Sequence, residues 1–333
     1  MSLLACLIAV LPAHAALPED PAQAAPPKPH AQLFSKALVV GHEISDGTGL
    51  EKELGAPGSL ADVVQAALLF PPQAVVDRRV FATTNVAAQQ IQAALDAKAT
   101  IVIALDYLVP YVYGAQLGDD ARTQQVAAAL KALERLACPI IIGDVPDLRW
   151  ALALEQPTLA AGQVPSEAAL KALNDSVVAW AAARKDTVVA PVAGVFAHVV
   201  KNEPFVIRKV SWPQAWLPEL MQSDRVHTRL HGTIALWLAA QDALCTARPD
   251  LDPAAFDWNP LSIYRKVYDA KSRQRDEALA KEVARLKLPP SRPPPRPPPP
   301  QPPADEESKQ RERKQQDQDA ERAEEDEESG GGG

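Results

Sequence analysis

Cysteine is almost absent. The 333 residues hold three, Cys6, Cys138 and Cys245, and no two of them stand at a metal-ligand spacing. That excludes a cysteine zinc site and a disulfide framework. Cys138, beside an apolar run, and Cys245, at the end of a helical run, read as two buried thiols. Long apolar runs are missing too: beyond the first residues, no stretch reaches the ~20 apolar residues of a membrane span, so no transmembrane helix is expected. Basic residues are not in excess. Lys and Arg number 34 against 42 Asp and Glu, a net charge of −8, and residues 304–333 alone carry 12 acidic and 5 basic side chains, so −7 of that charge belongs to the tail. The rest of the chain is close to neutral and offers no basic surface for nucleic acid. Gly41, Gly47 and Gly49 lack the spacing and the acidic partner of a dinucleotide fingerprint and read as turn residues. Nothing in the sequence calls for a cofactor.

What is present suffices for one large domain with appendages, since 47% of the residues are hydrophobic. Residues 1–16 pair a short apolar run with Ala13-His14-Ala15, a cleavage-like site, and read as a secretory signal without the usual basic start, implying a secreted or periplasmic protein. Residues 17–35, with Pro18, Pro21, Pro26, Pro27 and Pro29, read as an exposed leader. From Lys36 onward apolar runs alternate with helical periodicity. Ala37–Val40, Ala74–Phe81, Thr100–Leu105, Pro139–Gly143 and Thr187–Pro191 read as strands, and Leu60–Leu69, Val86–Ala97, Ala121–Ala137 and Ser166–Arg184 as helices, with Ser166 as an N-cap. Continuous apolar strands separated by helices predict a parallel sheet covered on both faces, a three-layer α/β/α sandwich, over residues 36–245. The ligand crevice of such a sheet lies beyond the carboxyl ends of its strands, which puts the loop after Val40, the segment after Phe81, Asp106 and Asp144 on one rim. Residues 246–288 read as a helical extension, with a charged helix over Ala270–Leu286. Residues 289–303 contain 11 prolines and favour extended polyproline II, and residues 304–333 are too polar to bury a core. This tail reads as a spacer or as a segment for a Pro-binding partner.

The chemistry is concentrated at two places. Asp224-Arg225-Val226-His227, followed by Gly232 in an apolar helical run, sets a carboxylate three residues before an imidazole, the base and its orienter in a nucleophilic triad. The first strand runs into Gly41-His42-Glu43-Ile44-Ser45-Asp46-Gly47. Together these two ends resemble the SGNH/GDSL hydrolase family, whose strand-to-helix loop reads Gly-Asp-Ser-Leu-Ser/Thr-x-Gly. The resemblance implies an SGNH hydrolase-like sandwich with flavodoxin-like topology, ester hydrolysis, a small-molecule ester, acyl or glycan ligand, and Asp224 and His227 as catalytic residues. It places Glu43 where the nucleophilic serine belongs. The family builds its oxyanion hole from the NH of that serine, a Gly after the second strand and an Asn after the third. Asp77-Arg78-Arg79-Val80-Phe81-Ala82-Thr83-Thr84 resembles the second block, with Ala82 at the Gly position. At the third block the chain reads Ala104-Leu105-Asp106-Tyr107, with an acidic residue in place of the amide donor.

Each departure weakens the same step. Loss of one oxyanion donor costs ~10²–10³ in rate, and loss of the nucleophile costs more. Carboxylate beside His227 also favours imidazolium and removes the base. Glu43 can therefore be read as a silent partner of His227 or Arg78, as a nucleophile or water-activating base in its own right, or as part of a metal site with His42, Asp46, Asp224 and His227. Ser45, two residues on, is an alternative nucleophile. The bland reading of that polar set is a hydrogen-bonded rim with no metal, and it is the one adopted. Asp144 and Asp147 lie on the rim as ligand contacts or turn caps, Tyr107, Tyr111 and Tyr113 as pocket walls, and His198 and His231 as structural histidines. The expectation is an esterase-like pseudoenzyme, impaired as a serine hydrolase; the alternative is a binding protein that uses the former cleft.

Overall fold

The computed structural model describes residues 29–69, 75–77, 84–285 and 314–315. The signal-like segment, most of the leader, Arg78, Ala82 and the Pro-rich segment lie outside the described residues. The chain divides into two units, residues 1–277 and 278–333. The described residues of the second are the last turns of a helix, to Arg285, and a helical pair at 314–315.

The first unit is built on five parallel strands, β1 (Ala37–Val39), β2 (Val75–Asp77), β3 (Ile101–Ala104), β4 (Ile140–Gly143) and β5 (Thr187–Ala190), in the order β2-β1-β3-β4-β5. This is the flavodoxin-like order, in which the chain reverses its direction of travel beside β1 and leaves a crevice there. The strands are short and apolar because both faces are covered: every residue of β1, β3 and β4 is buried. The helices are α1 (Pro29–Leu33), α2 (Glu43–Asp46), α3 (Leu50–Leu54), α4 (Leu60–Ala67), α5 (Thr84–Asp96), α6 (Val109–Tyr113), α7 (Asp119–Leu133), α8 (Glu167–Ala182), α9 (Val192–Lys201), α10 (Leu230–Ala247) and α11 (Pro260–Arg285). One layer is α4 on β1 and β2, packed against α10 on β4 and β5; in the other, α7 lies between α5 and α8. The predicted sandwich is thus the observed one. Apolar side chains surround much of α10, from Leu230 to Cys245, so this helix is central rather than amphipathic.

Four features differ from the sequence reading. Residues 29–35, inside the expected leader, are part of the fold: they include α1, and Phe34 is fully buried and packs edge-on against Trp237 at 6.4 Å and Phe256 at 5.8 Å. An antiparallel hairpin, β6 (Phe205–Ile207) and β7 (Val210–Trp212), follows α9, and neither was anticipated. The C-terminal helix starts at Pro260, ten residues before the expected start, where Asn259 accepts from the NH groups of Leu261 (3.0 Å) and Ser262 (3.2 Å). The segment Glu43–Asp46, read as loop, is a single helical turn closed by Gly47 at φ 73°. Ser166 caps α8 as expected, accepting from Ala169 NH at 3.2 Å. Both Cys138 and Cys245 are free; Cys245 is buried and Cys138 half-buried. Among the described residues no helix is long and apolar enough to cross a membrane.

Candidate active site

Two loops at the carboxyl edge of the sheet bring the site together. The first follows β1. Because Val40 NH bonds Ile103 O at 2.9 Å, β1 and β3 leave the sheet side by side, and the turn entering α2 lies over the start of the loop after β3. The second, residues 221–228, is a tight reversal. Met221 and Thr228 pair across it, Gln222 NH bonds His227 O at 2.9 Å, and Arg225 NH bonds Gln222 O at 3.1 Å. Arg225 sits at φ 58°, the left-handed conformation the reversal demands of a residue with a Cβ. The Gln222 amide joins the two loops, donating to Thr48 O (2.7 Å) and Thr228 O (3.0 Å). Gly49, at φ 82°, leaves room for it, since a Cβ there would overlap the Gln222 amide.

Within this frame Asp224, His227 and Glu43 form a chain with the imidazole in the middle. Asp224 Oδ2 lies 2.5 Å from His227 Nδ1, and its Oδ1 accepts from the NH groups of Val226 and His227, each at 3.0 Å. On the other side, His227 Nε2 lies 3.0 Å from Glu43 Oε2, a charge contact that falls short of hydrogen-bond geometry. His42 Nδ1 stands 3.8 Å from Glu43 Oε1. The His227 side chain is 11% exposed, Asp224 28% and Glu43 39%, so the chain opens to solvent at its Glu43 end.

The electrostatics follow from this order. Burial works against a proton on His227, but the two flanking carboxylates outweigh it and push its pKa up to about 9. Burial likewise opposes ionisation of Asp224, and the imidazolium and the two backbone donors bring it down to about 2. Burial also disfavours the Glu43 carboxylate, yet the contact with His227 and the charge of His42 hold it below the usual carboxylate range. At neutral pH the arrangement is carboxylate, imidazolium, carboxylate. An imidazole already protonated on both nitrogens has no lone pair to take a proton from a nucleophile.

Ser45 and Asp106 are placed elsewhere. Ser45 is 2% exposed and gives its hydroxyl to Asp106 Oδ1 at 2.5 Å, so the alternative nucleophile faces the interior and not His227. Asp106, 1% exposed, turns its other oxygen to the NH groups of Ile44 (2.7 Å) and Ser45 (3.0 Å). It is an acceptor bound to the turn rather than a donor facing the cleft. Asp144 caps α9, accepting from Ala193 NH at 2.7 Å; burial raises its pKa. Asp147 pairs with Arg149 at 2.5 Å. Tyr113 is buried and bridges Pro146 O (2.6 Å) and Leu148 NH (3.3 Å). Tyr107 and Tyr111 lie with ring centres 5.8 Å apart. His198 stacks on Phe205 and His231 on Tyr264, both structural contacts. Among the described residues no group of three or more His, Cys, Asp or Glu side chains is arranged to hold a metal ion. Gln222 and the Arg225–Trp150 contact, guanidinium to ring centre 5.6 Å, were not anticipated; their partners are distant in sequence and leave no local signal.

Fold and site together define an α/β/α protein with a histidine at its crevice closed between two carboxylates. No family model matches the chain, and no curated protein matches it. Among solved structures it is similar to TesA, at 15% identity and a TM-score of 0.38 over 65% of this chain and 99% of that one. It is also similar to BT4096, a gut microbial diltiazem-metabolizing enzyme, at 14% identity and a TM-score of 0.39 over 62% of this chain and 46% of that one. The present chain thus spans under half of the second protein.

Proposed function

We propose that this is an SGNH/GDSL-type hydrolase-fold protein, derived from ester hydrolysis, that does not operate as a serine hydrolase and keeps its cleft as a binding site for an ester, acyl or glycan group. The observation that carries the reading is the 3.0 Å contact between Glu43 and His227. Where a serine hydroxyl would present a proton to Nε2, a carboxylate presents a negative charge, and the base is consumed. Supporting it, Ser45 is bonded to Asp106, and no amide side chain stands at position 106 to donate to an oxyanion. The proposal includes export, on the apolar run and cleavage-like site of residues 1–16, and leaves the Pro-rich segment a role as spacer or partner site.

The test is hydrolysis of a short-chain aryl acetate by the full chain and by the His227→Ala and Glu43→Ser variants. Silence of the natural chain together with activity in Glu43→Ser supports an esterase scaffold with its nucleophile removed. Hydrolysis by the natural chain that disappears in His227→Ala overturns the pseudoenzyme reading and shows a working hydrolase that depends on His227. Silence in all three leaves ligand binding as the function to pursue, beginning with a glycan and acyl-ester binding screen.

A further inference from the structure

The loop that carries Glu43 is held by more than its own backbone. Gly41 O accepts from Gln90 Nε2 of α5 at 2.7 Å, which fixes the turn just before Glu43. Just after Glu43, Asp106 takes both the Ile44 and Ser45 NH groups on Oδ2 and the Ser45 hydroxyl on Oδ1. A Cβ at Gly41 would overlap both Asp106 Oδ1 and Ser45 Oγ, so this cluster is closed against the turn on that side as well. Glu43 lies between these two anchors, its own carbonyl accepting from Thr48 NH at 2.9 Å, and its side chain leaves the turn toward His227.

We propose that Asp106, in the loop that follows β3, is a positioning residue: its carboxylate draws the β1–α2 turn across the sheet edge and so fixes Glu43 against His227. A carboxylate suits the task because it only accepts, and the turn supplies three donors pointing one way. Sited 1% exposed, it could not be left with those donors missing without a large desolvation cost. The inference rests on the reading of Glu43 and His227 as a closed pair, and it adds what closes it. The groups facing the imidazole are Asp224 from its own loop and Glu43 from α2, with His42 beside Glu43.

The test is the pKa of His227, read by NMR from its ring signals in the full chain, with circular dichroism to establish folding. In Asp106→Ala the turn loses three bonds, Glu43 drifts, and the His227 pKa falls from about 9 toward its ordinary 6.5. In Asp106→Asn the amide oxygen still accepts both NH groups and the amide nitrogen donates to Ser45 Oγ, so the pKa stays within a few tenths of the natural value. The Asn variant removes charge but keeps geometry, and it thereby separates positioning from simple electrostatics. A folded Asp106→Ala variant with an unchanged pKa overturns the positioning role, as does an Asn variant that falls as far as Ala. Should Asp106→Ala not fold, Ser45→Ala carries the test. Its carboxylate loses the hydroxyl on Oδ1, the expected change is a smaller fall of the same sign, and no change overturns the proposal. An ordinary pKa in the natural chain would instead refute the closed pair itself, a result distinct from either failure of Asp106.

Discussion

Glu43 Oε2 lies 3.0 Å from His227 Nε2, the nitrogen an esterase keeps free for its nucleophile. On the opposite side of the ring, Asp224 stands in the place and geometry of a triad acid, 2.5 Å from Nδ1 with its other oxygen held by two backbone NH groups. One side of the ring is therefore held as an orienting carboxylate would hold it, while the other nitrogen faces a second carboxylate. Replacing Glu43 with Gln keeps the shape and removes the charge. The His227 pKa, about 9 in the natural chain, is expected to fall by at least ~1 unit in Glu43→Gln, because one of two flanking charges is gone. NMR titration of the ring measures this directly, and an unchanged value would mean that Asp224 alone holds the proton.

The same cluster makes stability depend on pH in a defined sense. His227 has a folded pKa of about 9, above its ordinary 6.5, so its contribution is complete below 6.5 and is lost as pH rises through 9. Asp224, at about 2 against 3.8, and Glu43, lowered from 4.5, act oppositely; their contribution is present above those ordinary values and is lost as pH falls through the folded ones. The cluster therefore stabilises most between about pH 4.5 and 6.5. The His227 shift corresponds to at most roughly 3.5 kcal/mol, and less in practice because the Glu43 side chain is 39% exposed and screened. Thermal melts should show the natural chain losing Tm between about pH 7 and 9.5, while His227→Gln loses less over the same interval. Parallel curves would deny the cluster any net stabilising role.

The strands β1, β3 and β4 were legible because each is an unbroken apolar run, and the helices between the strands because their spacing repeats. The Asp224 and His227 pair was legible because three residues suffice to state its chemistry. The hairpin β6–β7 was missed for a physical reason: its turn, Arg208-Lys209, contains neither Gly nor Asn, although Arg208 sits at φ 56°. Helix α9 carried its signal in Val192, Val195, Phe196 and Val199, a helical stripe that the preceding strand reading overshadowed. Asp106 could be placed on the rim from sequence, but its role could not. Its partners, Ile44 and Ser45, are about sixty residues away, and only the adjacency of β1 and β3 brings them within reach.

Gly41 should tolerate no side chain. Its missing Cβ is the space filled by Asp106 Oδ1 and Ser45 Oγ, both buried and neither at the end of a flexible side chain. Gly41→Ala must push Asp106 off the turn or distort the backbone, which costs ~1–3 kcal/mol for overpacking of this kind. Chemical denaturation is expected to show that loss with an unchanged m-value. A neutral substitution would show that the turn shifts freely, and would count against a fixed Glu43.

The N-terminal boundary gives the last prediction. Phe34 is fully buried, ahead of β1, and meets Trp237 of α10 at 90° and Phe256 at 73°. Trp237 belongs to the helix that covers β4 and β5 and directly follows the His227 loop, so the packing of residues 29–34 supports the layer on which the site rests. Phe34→Ala should cost ~3–5 kcal/mol, the range for deleting a buried aromatic ring. A chain beginning at Lys36 should lose at least as much, because Leu33 and the α1 backbone go with it. Denaturant melts of Phe34→Ala and of the chain begun at Lys36 decide the matter. A chain begun at Lys36 as stable as the natural one would return residues 29–35 to the status of an exposed leader.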